Sequence, residues 1–229
     1  MKAIVLAGGF GTRLRDRVPH LPKPMAPVAG RPFLEYILDR LILGGTEEII
    51  LSVGYRSDII ISHFQKSYKN CSITYAIETE PLGTGGAIVH ALGEFNDNSV
   101  LILNGDTLVN INYRYLITWY QNNPNSIALV LKEMEDVARY GSIVVNDGII
   151  SGFLEKGNFG HGMINAGVYL LPTKIFEQFG LSGNFSLEKD LLQNNCSELL
   201  PRAFITDNYF IDIGIPEDYE RAQLELPNL

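Results

Sequence analysis

Cysteine and histidine are scarce in this chain, with two and four copies among 229 residues, and neither shows metal-ligand spacing. Cys71 and Cys196 are too far apart in sequence for a zinc motif or a redox pair, so we expect reduced structural thiols. Basic residues are also few: 18 lysines and arginines stand against 26 acidic residues and leave a net charge of −8. That balance argues against nucleic acid or an anionic membrane surface as the main partner.

Long apolar runs are missing as well. No apolar segment approaches the about 18 residues of a membrane span, and no basic segment followed by an apolar one opens the chain. We therefore expect a cytoplasmic protein with no membrane contact. With 46% hydrophobic residues, the chain is long enough to bury the core of one domain.

The most informative segment is LAGGFGTRL at residues 6–14, which we call the glycine loop, followed by LPKPM at residues 21–25. Glycine lacks a Cβ, so backbone N–H groups near Gly8, Gly9 and Gly11 can turn toward one point and approach phosphate oxygens. Arg13 and Lys23 add permanent positive charge. Residues 1–31 hold six basic side chains and one acidic one. The sequence therefore predicts a binding loop for a triphosphate.

Other kinds of glycine loop fit this segment less well. The chain contains no GK[ST] triplet for a P-loop, and Leu14 stands where a dinucleotide motif needs glycine or alanine. A plain connecting turn is the remaining alternative. This loop is unusually long for a simple connection between two elements, and it contains Arg13, Lys23 and the prolines of residues 19–24.

The first half of the chain alternates between strand and helix patterns. It predicts strands at residues 2–7, 48–53, 73–76 and 100–103, and helices at 33–42, 57–65 (capped by Ser57 and Asp58) and about 88–92. This order predicts an α/β fold with a Rossmann-like, mostly parallel mixed sheet flanked by helices. The loops after its strands are expected on one side, where ligands of such sheets bind.

The second half is expected to add small antiparallel pieces. A hairpin is predicted where residues 142–145 and 149–155 flank Asp147 and Gly148. Further strands are predicted at 127–132, 166–171, 204–206 and 209–211, and helices at 113–121, 173–179, 187–193 and 216–224.

Two aspartates follow apolar strands, Asp106 in LNGDT and Asp212 in FIDIG. Magnesium prefers a few carboxylate oxygens together with substrate phosphates and water, so these two suit one Mg²⁺ ion bound with a triphosphate. Either aspartate alone is equally consistent with a helix cap.

The motifs GGFGTRL and LPKPM resemble those of the sugar nucleotidyltransferases, the nucleoside-diphosphate-sugar pyrophosphorylase family. The resemblance extends from residue 2 to about residue 223. It implies a GT-A-like nucleotide-diphospho-sugar transferase fold and one domain over residues 1–229. Residues 1–112 would mainly bind nucleotide, and residues 113–229 mainly the sugar phosphate. The implied reaction is Mg²⁺-dependent attack of a sugar 1-phosphate on the α-phosphorus of a nucleoside triphosphate.

The resemblance also implies roles for individual residues. Arg13 would bridge the β- and γ-phosphates, Lys23 would reach the α-phosphate, and Asp106 and Asp212 would bind the metal. With Lys156 on the sugar's phosphate, the implied catalytic residues are Arg13, Lys23, Asp106 and Lys156. The implied nucleotide-binding residues are Leu6, Ala7, Gly8, Gly9, Gly11, Thr12, Arg13, Lys23, Glu78, Pro81, Gly83, Thr84 and Asp106.

On the sugar side, RYG at residues 139–141, FLEKG at 153–157 and INAGVY at 164–169 match motifs of the family. Taken singly, each is as consistent with a solvated charge or a turn. Glu155 and Asn165 would bind sugar hydroxyls. The implied sugar-phosphate-binding residues are Asn104, Gly105, Tyr140, Gly141, Glu155, Lys156, Asn165, Ala166 and Gly167.

The choice of base rests on Glu78, five residues before Gly83, where the family places a residue at the base edge. Guanine presents N1–H and N2–H₂ side by side, which suits the two acceptor oxygens of a carboxylate, so GTP is favoured. A solvated loop glutamate is the alternative. The run EPLGTGG also resembles the EPLGTAG of mannose 1-phosphate guanylyltransferases.

The segments RPFLEY, FSLEKD and FIDIGIPEDYERAQ most resemble family members that use D-glycero-α-D-manno-heptose 1-phosphate in surface polysaccharide synthesis. Residues 16–18 read DRV, where family members commonly have PLT. Two alternatives stay open within the family: a mannose 1-phosphate guanylyltransferase and an N-acetylmuramate 1-phosphate uridylyltransferase. A catalytically silent regulatory homologue is the alternative from another class, and the missing dinucleotide motif argues against a nicotinamide oxidoreductase. The apolar faces of the C-terminal half are compatible with a homodimer.

Overall fold

Strands and helices alternate through the first half of the chain, as the sequence pattern predicts. The structure is a computed structural model that describes residues 1–9, 18–93, 97–123, 125–157 and 159–229. A 3₁₀ turn spans Lys23–Met25. The other elements of this half are β1 (Ala3–Leu6), β2 (Pro27–Val28), β3 (Arg31–Pro32), α1 (Phe33–Leu43), β4 (Glu48–Val53), α2 (Ser57–Phe64), β5 (Ser67–Tyr68), β6 (Cys71–Ile77), α3 (Gly83–Leu92), β7 (Ser99–Asn104) and β8 (Thr107–Val109).

The second half contains the predicted hairpin and helices together with longer strands. Its elements are α4 (Tyr113–Gln121), β9 (Ala128–Met134), β10 (Ser142–Asn146), β11 (Ile149–Leu154), β12 (Gly162–Pro172), α5 (Ile175–Gln178), a π-helix (Leu187–Gln193), α6 (Cys196–Leu199), β13 (Arg202–Thr206), β14 (Phe210–Asp212), α7 (Pro216–Glu225) and a closing 3₁₀ turn (Leu226–Asn228). None of the helices in the described part of the chain is long and apolar enough to cross a bilayer.

Ten of the described strands form one large mixed sheet in the order β10-β11-β13-β9-β12-β7-β1-β4-β6-β5, and β14 with β8 and β2 with β3 form separate two-stranded sheets. Strands β7, β1, β4 and β6 are parallel neighbours, so their carboxyl ends lie at the same edge. Strand β12 runs antiparallel to both β7 and β9 and carries the sheet into the second half. The mixed α/β fold is confirmed, with more extensive antiparallel pairing than the hairpin pattern alone indicates.

Apolar residues on both faces of the central strands form two packed layers. Ala3 and Val5 of β1 join the layer that contains α1, and Ile4 joins the layer that contains α3. Burial on both faces explains why β1 and β7 are continuous apolar runs in the sequence. This sheet is the rigid base on which the loops at its carboxyl edge are held.

The short strands β2, β3, β5 and β8 were not predicted, and two helices of the first half start differently from the sequence prediction. Helix α3 begins at Gly83, not near residue 88, because Gly85 and Gly86 let the helix approach another segment and do not extend the preceding loop. Helix α2 begins at Ser57 as expected, but no side chain caps it. Instead Arg56 adopts a left-handed backbone with φ 51° before the first turn.

Candidate active site

An open cleft of about 720 Å³ lies at the carboxyl edge of the parallel strands. The loops after β1, β4, β6 and β7 contribute to its wall, as the parallel order predicts. Ten of the residues predicted to bind substrate line it, namely Leu6, Gly8, Gly9, Lys23, Glu78, Pro81, Gly83, Thr84, Asn104 and Asp106. The sequence prediction did not include the other lining residues, which are Pro24, Gly54, Tyr55, Thr79, Glu80, Ala87 and Gly214.

The described start of the glycine loop contacts the rest of the cleft closely. A Cβ on Gly8 would lie 2.8 Å from Oε1 of Glu78 and 3.2 Å from the backbone N of Gly54. A larger residue at this position would displace the Glu78 carboxylate and crowd the Gly54 backbone. Ala7 is fully buried and donates its N–H to the carbonyl of Ser52 at 2.7 Å, so it anchors the loop. Gly11, Thr12 and Arg13, which were predicted to bind phosphate, lie outside the described residues.

Lys23 lies between the two predicted metal ligands. Its Nζ donates to Oδ2 of Asp106 at 2.7 Å and to Oδ1 of Asp212 at 3.5 Å. The side chain of Lys23 is 12% exposed, against 39% for Asp106 and 22% for Asp212. A largely buried cation thus pairs with two carboxylates, and Lys23 and Asp106 of this group line the cleft.

Local pairing of two short strands brings the aspartates together, although they are 106 positions apart. Strand β14 pairs antiparallel with β8, which places Asp212 opposite Thr107, and the N–H of Ile213 donates to the carbonyl of Asp106. Oδ1 of Asp212 also accepts from the N–H of Gly214 at 2.7 Å. A Cβ on Gly214 would collide with Lys23 Nζ, so glycine is needed there.

This arrangement fits a bound Mg²⁺ ion, because both carboxylates already direct an oxygen toward one cationic group. Two carboxylates are a typical protein contribution when substrate phosphates and water complete the coordination of magnesium. In the described part of the chain, no cluster of three or more histidine, cysteine, aspartate or glutamate side chains offers a fuller protein cage.

Glu78 forms another part of the cleft wall, and its carboxylate is held at both oxygens. Oε1 accepts from the hydroxyl of Ser52 at 3.1 Å, and Oε2 accepts from the N–H of Leu82 at 3.3 Å. Its own N–H continues the sheet by donating to the carbonyl of Val53 at 2.8 Å. Each oxygen keeps a further lone pair for a ligand.

The first turn of α3 docks onto a loop from the second half. The N–H of Gly85 donates to the carbonyl of Phe185 at 3.0 Å, and a Cβ on Gly85 would overlap the Phe185 ring. The hydroxyl of Thr84 accepts from the N–H of Leu187 at 2.9 Å. A Cβ on Gly83, which has φ +69°, would lie 2.5 Å from the carbonyl oxygen of Phe185. Thus the GTGG run joins the two halves as well as lining the cleft.

The NAG motif adjoins the cleft through a bulge in β12. The pairing of β12 with β9 shifts between Asn165 and Tyr169, and Gly167 has φ +74°. A Cβ on Gly167 would lie 2.8 Å from Nδ2 of Asn104. The carbonyl of Ala166 accepts from the Thr107 hydroxyl, and Gly105 donates its N–H to the carbonyl of Leu6. Tight backbone contacts therefore join these motifs to β1 and β8.

Asn165 belongs to a hydrogen-bonded group that the sequence did not reveal. Its Nδ2 donates to Oε1 of Glu188 at 2.7 Å and to the hydroxyl of Tyr169 at 2.8 Å. Tyr169 also donates to Glu188 at 2.7 Å, and burial together with this carboxylate raises the pKa of the phenol well above its ordinary value. Glu188 is exposed and lies in the π-helix, so its carboxylate is an added candidate for binding hydroxyl groups.

The other sugar-side motifs meet at one end of the β10–β11 hairpin. Ser142 is opposite both Leu154 and Ile164, so one step further along the strands Gly141 is near Glu155 and Asn165. A Cβ on Gly141 would lie 3.1 Å from the carbonyl of Leu154. Glu155 and the neighbouring Lys156 are exposed and lie outside the lining of the cleft. Their substrate contacts stay predictions.

The RYG segment is tied to the first turn of α7. The Tyr140 hydroxyl donates to Oδ2 of Asp218 at 3.5 Å, and Arg139 lies 3.7 Å from the same oxygen. Asp218 is 3% exposed and also pairs with Arg221 at 2.9 Å. Burial and the Asp218 carboxylate raise the pKa of Tyr140 to about 12, and Asp212 adds to the effect. Tyr140 therefore stays protonated near the predicted metal ligands.

Comparison with known proteins shows the family to which the chain belongs. A protein family model described as Nucleotidyl transferase matches residues 2–228. The chain is 45% identical over 226 residues to the D-glycero-alpha-D-manno-heptose 1-phosphate guanylyltransferase of Aneurinibacillus thermoaerophilus, covering 99% of this chain and 98% of that one. It is 45% identical to the enzyme of the same name from Campylobacter jejuni subsp. jejuni, covering 96% and 97% of the two chains.

A solved structure has the same architecture. The crystal structure of HddC from Yersinia pseudotuberculosis complexed with GMP-PN superposes with a TM-score of 0.86 at 38% identity, covering 97% of each chain. The family model extends over nearly every residue, including all the motifs at the cleft. The chain therefore belongs to the nucleotidyl transferase family.

Proposed function

We propose that this protein transfers GMP from GTP to a sugar 1-phosphate, giving a GDP-sugar and pyrophosphate. The observation that carries the proposal is the cluster of Lys23, Asp106 and Asp212 beside a cleft that Lys23, Asp106 and Glu78 line. This set offers positive charge for phosphates, two metal ligands and an acceptor pair for a base. Membership of the nucleotidyl transferase family supports it.

The chemistry needs positioning and charge neutralisation more than a protein nucleophile. An oxygen of the sugar 1-phosphate forms a bond to the α-phosphorus, and the bond from that phosphorus to the bridging oxygen of the β-phosphate breaks. Pyrophosphate leaves with the bonding electron pair. Because the attacking phosphate is already ionised near pH 7, no general base is required. Lys23 contributes a cation at the α-phosphate, where negative charge must be offset.

Asp106 and Asp212 would hold the Mg²⁺ ion. When bound, the metal neutralises phosphate charge and orients the triphosphate. Lys23 and the two carboxylates together carry one net negative charge, so the group can accept a dication without exposing a large excess of charge. Arg13 is the proposed partner of the β- and γ-phosphates.

Guanine is the proposed base because Glu78 offers two fixed acceptor oxygens. The N1–H and N2–H₂ groups of guanine lie side by side and match them, whereas uracil presents one donor between two carbonyls. The guanylyltransferase names of the two 45% identical relatives support this choice.

The proposed sugar is D-glycero-α-D-manno-heptose 1-phosphate, as in the names of those relatives, and its GDP derivative would serve surface polysaccharide synthesis. Asn165 and Glu188, which hydrogen bond to each other, are the proposed partners of its hydroxyl groups. We also propose that the protein works in the cytoplasm, where nucleoside triphosphates are available and free cysteines such as Cys71 and Cys196 stay reduced.

The test is pyrophosphate release by the purified protein with Mg²⁺, using GTP, UTP, CTP, dTTP or ATP with heptose, mannose, glucose or N-acetylmuramate 1-phosphate. We expect release with GTP and the heptose 1-phosphate. The Asp106→Asn variant is the matched inactive control, because it removes one negative charge at similar volume.

Each alternative predicts a different outcome. Equal or faster release with mannose 1-phosphate favours a mannose 1-phosphate guanylyltransferase, and a preference for UTP contradicts the role of Glu78. Release with no pair of substrates favours a silent regulatory homologue. The sequence argues against that outcome, since Arg13, Lys23, Asp106 and Asp212 are all retained.

A further inference from the structure

Ser52 is a fully buried polar residue in the last part of β4, between the apolar residues Leu51 and Val53. Successive strand residues point to opposite faces of a sheet, so Ser52 shares a face with Ile50, which packs in the layer of α3. An alanine would suit packing at this position. The serine hydroxyl instead donates to Oε1 of Glu78 at 3.1 Å.

The hydroxyl is one of two donors to the Glu78 carboxylate, and each donor binds a different oxygen. The other is the N–H of Leu82, which donates to Oε2 at 3.3 Å just before α3. One donor comes from the sheet and the other from the loop, so together they fix the plane of the carboxylate relative to both. Hydrogen bonds to an ionised acceptor are stronger than neutral ones.

The glycine loop limits the other positions that the carboxylate can adopt. Oε1 of Glu78 lies 2.8 Å from the place where a Cβ of Gly8 would stand, so the loop backbone lies against it. The backbone of Glu78 is fixed as well by its bond to Val53. The Glu78 carboxylate therefore has little space to move, and the hydrogen bond from the Ser52 hydroxyl sets its orientation.

We propose that Ser52 is a positioning residue for base selection, and that its hydroxyl holds Glu78 so that both carboxylate oxygens face the cleft as a pair. The inference rests on the proposed guanylyl transfer and adds what makes Glu78 selective. Two acceptor oxygens in fixed positions are both satisfied only by a base with two adjacent donors, and guanine is such a base. A carboxylate free to rotate would also satisfy a base with a single donor.

The test compares GTP with ITP, whose hypoxanthine keeps N1–H but lacks the exocyclic amine. The ratio of kcat/KM for GTP to that for ITP is measured with one sugar 1-phosphate in wild type and in Ser52→Ala. We expect the ratio to fall about tenfold, in line with the loss of one hydrogen bond to a charged group. Ser52→Cys, with a similar volume and a weaker donor, should change the ratio in the same direction.

The matched control is Ser99→Ala. Ser99 is also a buried serine, but it begins β7 at the opposite edge of the sheet from the cleft. Its GTP to ITP ratio should equal that of wild type. Thermal unfolding of all variants shows whether each is folded at the assay temperature.

A double-mutant cycle separates positioning from a general structural effect. If Ser52 acts through Glu78, Ser52→Ala should change the ratio less than about twofold in a Glu78→Ala background. An unchanged ratio in Ser52→Ala, or an equal loss in both backgrounds, would overturn the inference. If wild type itself does not prefer GTP to ITP, the proposed role of Glu78 fails first, and the inference fails with it.

Discussion

Lys23 is the residue on which the charge balance of the cleft depends. Replacing it with methionine removes the cation that contacts Asp106 and Asp212 while keeping an unbranched side chain. We expect kcat/KM to fall by about 100-fold or more, because one electrostatic contact to the reacting phosphate is lost. The thermal midpoint should change by only a few degrees.

The control for this prediction is Lys66→Met, at an exposed lysine outside the cleft. Its kcat/KM should match wild type. A Lys23→Met enzyme that keeps more than half of wild-type turnover would show that Lys23 does not act on the substrate.

The two thiols give a second prediction at the residue scale. Burial raises the pKa of Cys71 to about 11, with smaller contributions from Glu48 and Glu47, and burial also raises the pKa of Cys196. A thiol with a raised pKa forms little thiolate near pH 7.5 and is unreactive. Titration with a chromogenic disulfide should detect neither thiol in the native protein and both after unfolding. Rapid reaction of either thiol in the native protein would contradict the prediction that both are buried and unreactive.

At the scale of elements, a group of charged residues joins the β2–β3 hairpin to α1 and β5. Arg31 donates to Glu35 at 2.9 Å and to Asp39 at 2.7 Å. Burial opposes ionisation of both carboxylates. Hydrogen bonds from His63 and Arg31 outweigh it and lower the pKa of Glu35, and those from Lys69 and Arg31 lower the pKa of Asp39.

Because of this group, we expect the free energy of unfolding to decrease in acid. A carboxyl whose pKa is lower in the folded state stabilises the protein above its unfolded pKa, and the stabilisation is lost as pH falls through the folded value. The loss should therefore begin below the ordinary values of 4.5 for Glu35 and 3.8 for Asp39. Arg31→Met should weaken this dependence in urea unfolding curves between pH 7 and pH 3, compared with Arg56→Met at an exposed pair. If the free energy of unfolding depended on pH in the same way in wild type and in Arg31→Met, the predicted role of this group would be contradicted.

The contact between the RYG segment and α7 gives a further prediction. Asp218→Asn keeps the shape of the side chain but removes the charge that Arg139 and Arg221 contact. We expect the free energy of unfolding to fall by about 1–2 kcal/mol. The KM for the sugar 1-phosphate should rise while the KM for GTP stays the same, because Tyr140 belongs to the sugar-side motifs. Glu217→Gln, exposed in the same helical turn, is the control, and equal effects of the two changes would contradict the prediction.

At the scale of the whole molecule, the sequence predicts the elements well and their mutual contacts poorly. Strand β4 and helix α4 have the predicted bounds, because continuous apolar runs and helical spacing reflect burial within one element. Ser52 and Glu188 were not predicted as site residues, since each gains its role from a partner on another element. The proximity of Asp106 and Asp212 was predicted from their common position at strand ends together with the family resemblance.

A homodimer, with which the apolar faces of the C-terminal half are compatible, also belongs to this scale and is untested. Sedimentation velocity of the purified protein would give about twice the mass of the 25.5 kDa chain for a dimer. A single species at the mass of one chain over the assay concentrations would contradict it.

The most direct measurement of the central claim is ³¹P NMR of the protein mixed with Mg²⁺, GTP and D-glycero-α-D-manno-heptose 1-phosphate. We expect the signals of both substrates to fall together, while a new pair of coupled diphosphate signals and the pyrophosphate signal appear in equal amounts. Orthophosphate in place of pyrophosphate would mean hydrolysis, and an unchanged heptose 1-phosphate signal would mean that it is not the acceptor. Either result would contradict guanylyl transfer to this sugar.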